Sequence, residues 1–141
     1  MVPVTQTRFY EPDQPVELQR GNCLQAVLAS LLELPLEDVP HFVQQDVDSG
    51  GQLNWYDEMW KWLQARGWGL HGAELETHRT EHLMVTGLSP RGNGIHHVVI
   101  HHVVIYRDRE MAHDPHPDRT GLLSIETCLG LHRLDDPSVR A

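Results

Sequence analysis

Between Gly21 and Leu34, apolar residues return every three or four positions, and Val27, Leu28, Leu31 and Leu32 form one stripe. That spacing predicts a helix over 21–34 that buries one side. Gly21-Asn22 stands before the stripe, and asparagine is a favoured N-cap, so Cys23 falls in the first helical turn. Residues 35–42 predict a proline-bounded turn or short helix, and 48–52 a loop. Residues 53–67 predict a second amphipathic helix, with Leu53, Tyr56, Trp60 and Leu63 on one side and Gly67 as its stop. Beyond Gly67 the period shortens. Short alternating or β-branched segments at 68–75, 81–87, 95–106 and 109–114 are divided by turn residues, and 121–134 predicts a last strand. Helices followed by antiparallel strands predict an α+β fold. Residues 1–20 show no period and read as an extended arm. The expected organisation is one domain over 1–141: an arm (1–20), a helical part (21–67) and a sheet part (68–134).

One pattern interrupts the strands. His-His-Val-Val-Ile at 96–100 is repeated at once at 101–105. Strand side chains alternate with period two, so a shift of five sends corresponding residues of the two copies to opposite faces unless a bulge intervenes. The repeat has the form of a tandem duplication.

Composition narrows the function classes. The chain has 141 residues, 40% hydrophobic and 22% charged, which suits one folded core. A formal net charge of −9 argues against a nucleic-acid partner, which needs a basic face. No apolar run reaches the roughly 18 residues of a membrane span, and the first residues lack a secretory pattern. A cytoplasmic setting follows as the expectation, with Cys23 and Cys128 as free thiols.

A thiol becomes a nucleophile as its thiolate, which a helix N-terminus and a nearby imidazolium both favour. Cys23 has the first by position, whereas Cys128 has no such setting and reads as structural. A histidine suits the base, and the strand histidines at 96, 97, 101 and 102 are the candidates. Asp114, in His113-Asp114-Pro115-His116-Pro117, is the expected orienting carboxylate. A hairpin turning at Arg107-Asp108 brings position 114 opposite 101–102, which favours His101 over His96. The oxyanion donors would be the Cys23 N–H and an upstream amide, Gln6 or Gln19. A competing reading gathers His96, His101, His113, Asp114 and His116 as zinc ligands, without the spacing of a known zinc motif. The reading adopted needs neither metal nor cofactor.

Gly21-Asn22-Cys23-Leu24-Gln25-Ala26, followed by Pro35-Leu36-Glu37-Asp38-Val39-Pro40-His41-Phe42, resembles small bacterial and phage proteins described as papain-like cysteine peptidases. These are related in layout to peptidases that process bacteriocin leaders. Ser89-Pro90-Arg91-Gly92, a His-x-Val-Val strand, Tyr106-Arg107-Asp108 and the 113–117 segment are similar to the same group, and the likeness spans most of 3–122. It implies a papain-like fold acting on a peptide or protein substrate, with Cys23 as nucleophile and Asp114 as orienter. The base it implies is the first His of a His-x-Val-Val unit, which here is His96 or His101. It also favours Gln6, because members carry Gln-Thr near the start as at Gln6-Thr7. The chain departs from the group in the duplicated unit and in a longer stretch from Tyr10 to Arg20. An altered base strand makes a scaffold that binds without catalysis the alternative expectation.

Overall fold

A computed structural model describes residues 1–9, 21–75, 81–90 and 101–135. Helix α1 (Cys23–Leu32) carries the expected stripe, burying Leu24, Val27 and Leu28 together with the small residues Ala26, Ala29 and Ser30. It ends where Glu33 takes a left-handed conformation and Leu34 N–H returns to the Ala29 carbonyl, a common helix stop. A short 3₁₀ turn (Leu36–Asp38) and α2 (Phe42–Asp48) follow. Helix α3 (Trp55–Ala65) starts at Asn54, whose side chain accepts from the Tyr56 and Asp57 N–H groups.

The buried side of α3 differs from the expected one. Met59 and Leu63 are buried, with Trp55 and Trp62 packed beside them, while Leu53 and Tyr56 are exposed. The cap explains the difference: with Asn54 outside the helix, Leu53 cannot join its stripe, and the inward positions become 55, 59, 62 and 63.

The strands are β1 (Trp68–Gly72), β2 (Leu83–Leu88), β3 (His101–Arg107), β4 (Glu110–His113) and β5 (Ser124–Arg133). They form one antiparallel sheet in the order β1-β5-β2-β3-β4. The architecture is α+β, as the patterning predicts. Along β3, Val103 and Ile105 join the main core with α1, while Val104 and Tyr106 pack into a second cluster with Leu83, Val85 and Cys128. Strand alternation gives each face its own apolar set. At Gly87 a Cβ would lie 1.7 Å from the Ser124 carbonyl oxygen, so β2 and β5 meet there at backbone distance, beside an irregularity in their register.

The first copy of the His-His-Val-Val-Ile repeat, with His96, lies outside the described residues, as does Gln19. The second copy begins β3. Among the described residues no helix is long and apolar enough to cross a membrane.

Candidate active site

Cys23 is the first residue of α1, so its sulfur sits at the helix end where unpaired N–H groups point outward. Asn22 occupies the N-cap position but makes no capping bond. Its carboxamide oxygen accepts instead from Thr7 N–H at 2.9 Å and Arg8 N–H at 2.8 Å, and its amide donates to Thr7 Oγ1 and Gln25 Oε1. The residue that sequence rules assign to capping therefore ties the N-terminal arm to the helix that Cys23 begins.

Within residues 1–9 the arm is held at several points. Val2 N–H donates to the Ser30 carbonyl, Val4 N–H to Ser30 Oγ, and Gln6 N–H to the Pro115 carbonyl. Gln6 thus lies along the strap between the residue before Cys23 and the residue after Asp114. It is 6% exposed. Its Nε2 donates to the Arg8 carbonyl at 2.9 Å, and its buried Oε1 has no partner among the described residues.

The histidine that meets the carboxylate is His102. Its Nε2 donates to Asp114 Oδ1 at 2.6 Å, and the Cys23 thiol is close enough to the ring to interact with it. Because Nε2 is engaged, Nδ1 is the nitrogen left for the thiol. His101, the expected base, does not reach this constellation: its side chain is 55% exposed and its Nε2 lies 3.2 Å from Glu126 Oε2.

One bulge accounts for the change. The β3–β4 turn runs through Asp108 and Arg109, both left-handed at φ 53 and 68, the form that suits a two-residue hairpin. A plain ladder from this turn, which pairs Arg107 with Glu110 and Tyr106 with Met111, would align Asp114 with Val103 and so with the side of His101. Instead the register slips and Ile105 pairs with His113. Asp114 is thereby shifted by one residue from that ladder, and the histidine it meets is His102.

Asp114 is held firmly. It is 1% exposed; Oδ1 also accepts from His116 N–H at 2.9 Å and Oδ2 from Gly121 N–H at 2.8 Å. Arg119 donates to the Asp114 carbonyl and to His113 Nδ1, and reaches Thr5 Oγ1 in the arm. An arginine only donates, so His113 Nδ1 must accept and its Nε2–H faces the Val4 carbonyl at 2.7 Å. Pattern reading missed Arg119, and it named His102 among four candidates without selecting it, because both depend on a chain path that only the folded loop defines.

Burial alone would lower the pKa of His102. The hydrogen bonds and charges of Asp114 and Cys23 outweigh it and raise the value from 6.5 to about 9. For Asp114, burial works upward, but the bonds from His102, His116 and Gly121 hold the carboxyl below its usual range. The arrangement favours an imidazolium between a carboxylate and a sulfur at neutral pH.

The described members of the alternative zinc set are not brought together, and His96 lies outside the described residues. His101 turns to Glu126, His113 to Val4 and Arg119, and His116 to Asp118. Among the described residues no three His, Cys, Asp or Glu side chains converge on a common point. Cys128 is in no disulfide among the described residues and packs against the second apolar cluster. Comparison with protein-family models, curated proteins and solved structures finds no match for the chain.

Proposed function

We propose that the chain is a cysteine hydrolase of papain-like layout that cleaves an amide bond in a peptide or protein. The observation that carries this is a Cys23 thiol at a helix N-terminus, close to an imidazole that a buried carboxylate fixes at 2.6 Å. The Cys23 thiolate attacks the substrate carbonyl carbon, and a tetrahedral oxyanion forms. In this reading the Cys23 backbone N–H stabilises that oxyanion, with the second hydrogen of Gln6 Nε2 as a further donor. His102 gives its proton to the leaving amine as the C–N bond breaks, which leaves a thioester on Cys23. A water then loses a proton to His102 and attacks the thioester, releasing the acid and restoring the thiolate–imidazolium pair. Asp114 holds the ring in one tautomer throughout.

Iodoacetamide at pH 6 tests the reading. Cys23 is expected to alkylate faster than free cysteine at that pH, and His102→Ala to remove the excess. A rate equal to that of free cysteine would sink the enzyme reading in favour of a binding scaffold.

A further inference from the structure

Away from Cys23, the tripeptide Gly-Leu-His occurs twice, as Gly69-Leu70-His71 in β1 and Gly130-Leu131-His132 in β5. The antiparallel register sets each histidine opposite the other strand's glycine, Gly69 with His132 and His71 with Gly130. The two rings lie over those glycines. A Cβ on Gly69 would come within 2.5 Å of His132 Nε2, and one on Gly130 within 2.3 Å of His71 Nε2. Both glycines are therefore required for the rings to lie where they do, with Nδ1 facing Nδ1 at 2.9 Å.

We infer that His71 and His132 form a binding site for a divalent transition-metal ion of the nickel or copper type. Metal–imidazole bonds are about 2.0–2.1 Å long, so nitrogens 2.9 Å apart subtend about 90° at a shared ion. That is the angle between adjacent ligands in square-planar or octahedral coordination. A tetrahedral ion would need the nitrogens about 3.3 Å apart at the same bond length. Glu81 supports the outer shell: its Oε1 lies 3.5 Å from His71 Nε2 and favours a proton there, which leaves Nδ1 as a lone-pair donor. Without metal, one Nδ1 must carry a hydrogen to make so short a contact, and His132 supplies it. On binding, that proton moves to His132 Nε2, and both Nδ1 lone pairs face the ion. The chain supplies two ligands and water completes the set. The site lies on the strand at the sheet's β1 edge, both histidines are partly exposed, and the chain's charge of −9 favours a cation.

Nickel titration of the full chain, followed calorimetrically and by amide NMR, tests the site. One Ni²⁺ should perturb residues 68–72 and 129–133 first. Affinity should fall more than about tenfold in His71→Gln and in His132→Gln, and by about tenfold in Glu81→Gln, the range for outer-shell partners. His101→Gln should leave it unchanged. Equal affinity in His71→Gln and wild type, perturbation confined to other histidines, or no binding would overturn the inference and reduce the contact to a hydrogen-bonded imidazole pair. If either variant fails to fold, the NMR map of the wild type decides by itself.

Discussion

His101 and His102 are adjacent and chemically identical, yet only one meets Asp114. Alanine at 102 should slow Cys23 alkylation at pH 6 by more than about tenfold, and turnover by about the 10²–10⁴ of a lost acid–base group. Alanine at 101 should change neither; equal losses in the two variants would refute the assignment. The protonation of His102 sets a second prediction. Its pKa rises from 6.5 to about 9 on folding, so its stabilisation is complete below about pH 6.5 and fades as pH climbs through 9. Asp114 acts in the opposite sense: its lowered pKa stabilises the fold above its ordinary value of 3.8 and loses that effect as acid protonates it. Urea midpoints at pH 6.5 and about 9.5 should therefore differ more in the wild type than in His102→Ala. A difference of the same size in both would show that the ring holds no extra proton. Cys23 and Asp114 were legible in the sequence because each is marked locally, one by a helix start and one by a strand-to-turn change. The histidine that meets Asp114 is one residue on from the expected one, since a single-residue slip at Ile105/Tyr106 leaves no mark in the alternation.

Periodicity located α1, α3 and the strands of the described residues to within a few positions, because burial of one face writes itself into spacing, but α2 (Phe42–Asp48) lies almost wholly beyond the turn or short helix expected at 35–42. It was less able to say which neighbouring face of α3 turns inward, since Tyr56, Trp60 and Leu63 fit a helical stripe as well as Trp55, Met59 and Leu63 do. Side-chain bonds between segments were not legible at all. Asn22 is the clearest example, because an asparagine before a helix reads as its cap whether or not it binds elsewhere. Asn22→Ala removes the acceptor for Thr7 and Arg8 without removing a cap, and should cost about 1–3 kcal/mol for the two N–H groups left unpaired. Urea unfolding measures the loss. Were the residue acting at the helix end after all, Asn22→Ser would restore it, because serine caps well but is too short to hold both arm amides.

The duplicated pentapeptide has a simple meaning at the scale of the whole molecule. All of β3, and the histidine that faces Asp114, comes from the second copy and the residues after it. A chain lacking residues 96–100 should therefore keep a reactive Cys23, measured by the same alkylation at pH 6. Loss of that reactivity in a folded deletion variant would show that the first copy also serves the site.

Gly87 pairs with His102 in the β2–β3 register and leaves no space for a Cβ against Ser124 on its other side. In a survey of all single substitutions, position 87 should be as intolerant as position 23, and a lineage that keeps this sheet should inherit the glycine unchanged. A ranking by intolerance alone would thus place among the reactive residues one that has no side chain with which to react.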